Sequence, residues 1–586
     1  MRLVFDLEAN GLLKEASRIH CIVALDLDTN EIHKFEPSKV EQGLKLLMSA
    51  DQVIGHNVIG YDLALASKLY PWFYVPRERA VDTLILSRLI YSDLSDRDRS
   101  KGSIDVKLYG SHSLKAWGQR LGFPKGDYEG GWETFSNEML EYNVRDVEVT
   151  KRLHTLLTES DAYSQRASDL EHSVAHIVAQ QEQYGFAFDV KAAEKLTALL
   201  MQRRQELEAK LQDTFPPFFL PAGYTEPKRD NKTKGVTAGH AYNKIKLTQF
   251  NPSSRQHIAG RLKAIHGWKP KEFTPDGSPK VDESVLEKLP YPEAKLMTEY
   301  LMVQKRLGML AEGAKAWLSM VHKGRIHGEV ITNGAVTGRA THRNPNVAQT
   351  PAVGVPYGKE CRSLFTASRG RKLVGVDVSG LELRMLAHFM ARYDEGKYGK
   401  EVVDGDVHTA NQLAAGLETR NQAKTFIYAF LYGAGPEKIG SVVGKGRDAG
   451  LTLRKRFLER TPALAKLISA VRSAAGRGYL VGLDGRHLAI RSEHAALNTL
   501  LQSAGALICK QWMVEVDKMI VEKGWRTKVQ QAAWIHDECQ YDCDPDIADE
   551  FGKLCVECIQ RAGDFFNIAL PLTGEYKIGD NWADTH

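Results

Sequence analysis

The chain has few cysteines, seven in 586 residues. That odd, modest count excludes a disulfide-stapled secreted scaffold and suits a reducing compartment. Long apolar runs are also missing: hydrophobic stretches are short and broken by charges, so no segment reads as a membrane span. Residue 1 leads straight into the strand-like LVFDLE segment. That leaves no room for a signal peptide, and a cytoplasmic location is expected. Neither internal repeats nor low-complexity tracts occur, which excludes solenoid and compositionally disordered classes.

What remains is an ordinary soluble composition, 43% hydrophobic and 26% charged, on a chain long enough for about three or four domains. The net charge of +5 hides an asymmetry. Residues 1–150 carry 18 Lys+Arg against 23 Asp+Glu, and residues 151–586 carry 60 against 50. A basic larger part beside an acidic N-terminal part suits a polyanion binder coupled to a carboxylate-rich metal site, although unevenly spread surface charge would read the same way.

Periodicity predicts strands at Leu3–Glu8 and Ile19–Leu27, and helices at Gln42–Ser49, Asp62–Lys68 and Asn137–Leu157. A long helical region follows from Asp169 to Lys210, interrupted near Tyr184-Gly185. Residues 216–250 are rich in Pro, Gly, Thr and Asn, with six basic residues (Lys228, Arg229, Lys232, Lys234, Lys244, Lys246) against two acidic ones. Such a segment buries little, and a mobile loop with a phosphate-contacting tip is expected. Helical periodicity returns at Ser253–His266 and Pro292–Lys323, and from about Arg371 strand and helix alternate to the end. Cys539, Cys543, Cys555 and Cys558 have a spacing faintly like a zinc ribbon. Because two fall in a strand-like stretch and two in an apparent helix, buried free thiols are the expected reading.

Asp6 and Glu8 lie one residue apart on a predicted strand, so both carboxylates face one side. Two acids side by side in a half-buried strand repel and resist desolvation unless cations occupy the site. Asp62 follows in GHNVIGYD, and Asp146 lies one helical turn after Tyr142 in EYNVRDVEVT. Four converging carboxylates could hold two Mg²⁺ ions about 3.5–4 Å apart, one lowering the pKa of an attacking water and the other stabilising the departing 3′ oxygen. Tyr142 is placed to orient that water. The ordered set D-x-E, N-x4-D, Y-x3-D resembles the DEDDy 3′→5′ exonucleases, which implies a ribonuclease-H-like fold.

A second constellation lies downstream. The run LVGVDVSGLELRMLAHF places Asp377 at the end of an apolar strand with Glu382 in the next turn or helix, and QAAWIHDECQYDC sets His536, Asp537 and Glu538 in a strand hairpin. An acid in apolar flanks is expensive, so a ligand or metal is the natural compensation. Between them, in RNQAKTFIYAFLYGAG, Arg420, Lys424, Tyr428 and Tyr432 recur every four residues on one helix. Two cations followed by two aromatics would grip a triphosphate at one end and a base at the other.

These three blocks resemble motifs A, B and C of family A DNA polymerases. NGAVTGRATHRNPN, GDVHTANQ, SGLELR and HAALNTLLQSAGALICK resemble the replicative polymerases of short-tailed bacteriophages. The resemblance runs from Asp6 to the closing GDNWADTH. It implies an α/β plus α+β multidomain chain: an exonuclease domain at 1–158, a thumb at 159–330 containing the 216–250 segment, a palm at 331–408 and 481–586, and fingers at 409–480. By the same resemblance Asp377 and Asp537 hold two Mg²⁺, with Mn²⁺ a possible substitute and the Val378 carbonyl assisting, while Glu538 is a supporting acid. Arg420, Lys424 and His408 contact the incoming phosphates, and Lys424 is placed to protonate pyrophosphate. Glu382 is the steric gate against a ribose 2′-OH. Tyr428 stands where Tyr is associated with acceptance of dideoxynucleotides, and Tyr432 sits by the template base. Arg339, Asn498, Gln502 and His536 lie along the primer-template, where minor-groove acceptors are nearly sequence-independent.

The implied partners are primer-template DNA and dNTPs, with a phage helicase-primase and single-strand binding protein in the infected host's cytoplasm. Thioredoxin is doubtful because the thumb insertion is short. Two rival readings are a single-subunit RNA polymerase, which shares the palm logic, and a nuclease whose C-terminal part merely binds DNA.

Overall fold

The computed structural model describes residues 1–586, and two compact units divide the chain. The first comprises residues 1–187, 327–350 and 366–586, and the second residues 188–326 and 351–365.

The first unit begins with β1 (Arg2–Ala9), β2 (Ile19–Asp26), β3 (Ile32–Phe35), β4 (Gln52–Gly55) and β5 (Ala80–Asp82), ordered β3-β2-β1-β4-β5 in one sheet. The first three strands form an antiparallel meander; β4 and β5 run parallel to β1. Helices α1 (Val40–Ser49), α2 (Asp62–Leu69), α3 (Thr83–Ile90), α4 (Leu114–Arg120), α5 (Asn137–Thr158) and α6 (Gln165–Tyr184) accompany it. All eight residues of β2 are buried, as expected for a strand covered on both faces. The period-2 geometry of β1 sorts its side chains. Leu3, Phe5 and Leu7 join the cluster that holds Val40, Leu44 and Leu65 of α1 and α2. Val4 joins Met139, Leu140 and Val147 of α5. Asp6 and Glu8 share the parity of Val4 and therefore face α5. That helix is started by Ser136, whose hydroxyl accepts the Met139 N–H at 3.1 Å. Helix α6 ends at Gly185, whose φ of 69° favours glycine.

In the second unit, α7 (Val190–Thr214) packs against α8 (Pro292–Leu307). Residues 216–250 correct the expectation of a loop: β6 (Phe218–Thr225) and β7 (Tyr242–Thr248) form an antiparallel hairpin. The Lys244-Ile245-Lys246-Leu247 alternation is a strand pattern, but it is short and lies in a Pro-, Gly- and Asn-rich stretch that reads as loop, and Tyr242–Thr248 buries no residue. The periodic stretch expected at Pro292–Lys323 is also shorter. α8 ends at Leu307, and a wider turn occupies Gly308–Glu312 before a short helix at Trp317–Met320.

The rest of the first unit is built on β8 (Lys372–Val378), β9 (Val529–Ile535), β10 (Glu538–Cys543) and β11 (Gly574–Gly579), an antiparallel sheet ordered β9-β10-β8-β11. Helices α9 (Leu381–Asp394), α10 (Val407–Ala415), α11 (Arg420–Leu431), α12 (Ala496–Glu522) and α13 (Ala548–Phe565) share one core with it. A balanced buried charge set ties α6 to this core: Glu171 pairs with Arg486 at 2.7 Å and with Lys510, and Arg486 also pairs with Asp484 at 2.6 Å. All seven cysteines are buried free thiols. No helix is long and apolar enough to cross a membrane.

Candidate active sites

Of the acids singled out near the N-terminus, Asp6, Glu8 and Asp146 each offer an oxygen, and these atoms all lie within 4.8 Å of one another. Two come from β1 and one from α5, so a sheet strand and a helix 140 residues away must dock to assemble them. Asp62, at the start of α2, accepts the Leu7 N–H at 3.3 Å, and its charge is among those that raise the Asp6 pKa. Burial, with the neighbouring acids adding to it, pushes Asp6 well above the usual carboxylate range and Glu8 up to about 8. Burial likewise lifts Asp62 to about 8. Asp146 rises only to about 6, because Lys125 opposes the burial. Crowded carboxylates held this far above their solution range have a metal-shaped deficit of positive charge. The buried Asp146 Oδ1, which has no hydrogen-bond partner, fits a cation ligand. Tyr142 is one turn before Asp146 on α5, half-buried among Tyr128 and Trp132. Lys125, which sequence reasoning missed, contacts Asp146 and lies 4.4 Å from the Tyr142 ring centroid. It sits in an irregular connection with no periodicity to mark it.

The second set forms on the four-stranded sheet. Antiparallel pairing puts Asp377 directly opposite Glu538, and the Val378 N–H donates to the Asp537 carbonyl at 3.1 Å. Ile535 pairs with Glu538, so His536 and Asp537 are the two central residues of a tight hairpin. His536 there has φ 58°, a conformation usually left to glycine and costing a non-glycine residue roughly 1–2 kcal/mol. Such strain is tolerated where a side chain must be aimed. Burial and the charges of Asp537 and Glu538 push the Asp377 pKa up to about 7. Burial and then Glu382 raise Asp537. Glu538 behaves differently. Burial pushes it up, but hydrogen bonds from His586, Gln540 and Trp582 outweigh that and hold it low. Those bonds are 3.2, 2.7 and 2.5 Å long, and they fix Glu538 as an ionised wall beside the aspartates. His586, Gln540 and Trp582 were not singled out in the sequence, since no spacing rule links them to Glu538.

A cavity of about 180 Å³ is lined by Arg339, Glu382, Tyr432, His536 and Asp537. Within it Tyr432 donates to Glu382 at 3.1 Å, and Arg339 lies 3.6 Å from the same oxygen. Tyr428, on α11, is half-buried, and burial, with the charges of Glu382 and Asp537 adding to it, raises its pKa. On α10 the His408 ring lies 6.3 Å from the Tyr428 ring. Burial, with the charges of Arg420 and Lys424 adding to it, lowers the His408 pKa. Arg420 donates to Asp406 at 2.8 Å, and Lys424 is exposed. Gln502 donates to Asn498 at 3.0 Å on α12, and Asn498 lines a separate cavity of about 480 Å³ with Gly433, Arg454 and Arg472. The arrangement is a carboxylate pair with a cationic, aromatic helix leading up to it, suited to holding a polyphosphate over a reacting hydroxyl.

With that geometry in view, residues 228–584 match DNA polymerase family A, and the chain belongs to that family. Its relatives include the DNA-directed DNA polymerases of Escherichia phage T7 and Enterobacteria phage T3. Each is 41% identical over 707 aligned positions, covering 100% of both chains. Among solved structures, the POL domain of Pol1 from M. smegmatis, in complex with DNA primer-template and dNTP, aligns with a TM-score of 0.76 at 18% identity. It covers 99% of this chain and 96% of that one. Family membership sets aside both rival readings.

Proposed function

We propose that this family A polymerase extends a DNA primer by template-directed addition of dNTPs and removes mispaired ends with a separate 3′→5′ exonuclease. The observation that carries the first half is the meeting of Asp377 and Asp537 at adjoining strand ends: Asp377 sits opposite Glu538, the Val378 N–H donates to the Asp537 carbonyl, and the Asp537 charge raises the Asp377 pKa. Two Mg²⁺, with Mn²⁺ as substitute, fit these carboxylates; when bound they supply Lewis-acid activation of the primer hydroxyl and of the leaving phosphate. Asp377, Asp537 and the Val378 carbonyl are the proposed ligands, with Glu538 holding the pair in place. Arg420, Lys424 and His408 bind the triphosphate, and Lys424 gives a proton to pyrophosphate. Glu382, braced by Tyr432 and Arg339, is a firm wall against a ribose 2′-OH. Arg339, Asn498, Gln502 and His536 follow the primer-template.

The second half rests on the Asp6, Glu8 and Asp146 oxygens converging, with Asp62 beside them and Tyr142 to orient water. The sheet order β3-β2-β1-β4-β5, with β2 antiparallel in an otherwise parallel neighbourhood, supports the ribonuclease-H-like reading of residues 1–158. The remaining chain is read as thumb (159–330), palm (331–408 and 481–586) and fingers (409–480). A second site makes physical sense, because binding alone discriminates poorly between similar substrates. A labelled primer-template with Mg²⁺ tests both halves. Extension is expected with dNTPs and shortening from the 3′ end without them. No extension by the wild-type chain would overturn the reading.

A further inference from the structure

We propose that Lys125 is an internal counter-cation of the N-terminal carboxylate cluster, and that it competes with metal for Asp146. The inference rests on reading that cluster as a metal site. Lys125 is the one ammonium against the four acids. Its Nζ is in direct contact with Asp146 Oδ2, while Oδ1 of the same carboxylate is buried without a partner. The side chain is 19% exposed and that of Asp146 is 4% exposed, so this ion pair is poorly screened by solvent. The cluster is faced by Asp6 and Glu8 from β1, Asp62 from α2, and Asp146 with Tyr142 from α5. One positive charge against four negative ones leaves the site anionic, so it still attracts a divalent cation, but on different terms.

The tether explains how the ammonium is aimed. Phe123 is held between the guanidinium groups of Arg145 and Arg152, at 3.2 and 3.8 Å from its ring centroid, and both belong to α5. Arg145 also donates to the Pro124 carbonyl at 3.0 Å. On the other side, a Cβ on Gly118 of α4 would lie 2.8 Å from the Lys125 backbone nitrogen. The backbone is therefore pinned to the helix that carries Asp146, and only the flexible four-carbon stem is free to move. An ammonium and a divalent ion cannot both take the same carboxylate at full strength. Metal binding must displace or weaken the Lys125–Asp146 contact, and Lys125 in turn sets the metal concentration at which the site fills. In the metal-free chain it does the opposite service and holds the repelling acids together.

The test reads metal binding directly, by the Mn²⁺ electron paramagnetic resonance signal of the full chain carrying Asp377→Asn and Asp537→Asn. In that background Lys125→Met, which keeps length and removes charge, should lower the half-saturating Mn²⁺ concentration by roughly tenfold. It should also lower the melting temperature in EDTA while leaving it near that of the Lys125 chain in saturating Mn²⁺. Lys125→Arg, which keeps the charge, should bind Mn²⁺ as the lysine chain does. Unchanged or weaker binding in Lys125→Met overturns the proposal, as does equal tightening in Lys125→Arg. A further arm separates the two levels of the argument. If Asp6→Ala/Glu8→Ala abolishes the signal but Lys125→Met does not tighten it, the counter-cation role alone fails. If Asp6→Ala/Glu8→Ala leaves the signal intact, the metal-site reading itself fails.

Discussion

The two carboxylate sites solve the same electrostatic problem by different means. In the sheet of β8 to β11 the acids are neighbours by strand register. Asp377 faces Glu538 across one antiparallel pair, and the two-residue turn delivers Asp537 beside them. The third acid is kept ionised by three hydrogen-bond donors. In the N-terminal site no register brings Asp146 to Asp6 and Glu8. Docking of α5 through Met139, Leu140 and Val147 does so, and a lysine partly offsets the charge. A site written into backbone pairing is set once the sheet forms. A site written into helix docking depends on packing and on the charge it brings together. The first should be hard to perturb except by removing its acids, and the second should respond to salt, pH and metal.

Removing the acids is the strongest way to separate the two. Asp377→Ala/Asp537→Ala should cost about 10⁴-fold or more in primer extension, near 5.5 kcal/mol of barrier, while degradation of a single strand continues. Gel extension against a degradation control measures both. If extension and degradation fell together, the sites would not be independent. The reciprocal Asp6→Ala/Glu8→Ala change should reduce 3′-end degradation by about 10³-fold and leave extension rates within about twofold, as followed on the same labelled substrate without and with dNTPs. Persistent degradation would remove the N-terminal site from the chemistry.

A subtler contrast lies within the polymerase site, on α11. The charges of Glu382 and Asp537 reach Tyr428, and on the proposed reading its hydroxyl would stand in for a missing sugar 3′-OH. Tyr428→Phe should therefore reduce dideoxynucleotide incorporation relative to dNTP by roughly 100-fold, with little change in kcat for the normal substrate. Single-nucleotide incorporation kinetics with both substrates would show it, and equal losses for both would point to packing instead.

Much of this was legible from residue order because the chemistry is local. The D-x-E on an apolar strand, the four-residue stripe beginning at Arg420 and the H-D-E hairpin each follow from period-2 or helical geometry. The structure has the strand, the hairpin and a helix that carries Arg420, Lys424 and Tyr428 but ends at Leu431, leaving Tyr432 at its cap. Long-range partnerships left no such mark. Lys125 meets Asp146 from an irregular connection, and Trp582 and His586 meet Glu538 from the far end of the chain. Glu171, Arg486 and Lys510 form a buried set across more than 300 residues of sequence. The hairpin at 218–248 was misread for another reason. Strand prediction leans on one face being buried, and β7 has no buried residue.

The smallest predicted effect follows from the same electrostatic contrast. Glu8 and Asp62 titrate near 8 and Asp377 near 7 in the metal-free chain, all raised first by burial. Their unfolded values lie near 4. Between those limits the folded chain holds more protons than the unfolded one, so stability falls as pH rises. Below about pH 4 both states are protonated and the effect disappears; above about pH 9 both are ionised and the full repulsion is felt. In EDTA the melting temperature should therefore drop by on the order of 2–4 °C between pH 6 and pH 9 from these groups. A divalent metal should restore it, and more at pH 9 than at pH 6, because binding at pH 6 must first expel protons. Asp6→Asn/Glu8→Gln should flatten part of that slope and leave the share of Asp62, which its own burial raises, and of Asp377. A slope unchanged in that variant but abolished by Asp377→Asn would reverse the comparison, placing the labile charge in the sheet rather than under the docked helix.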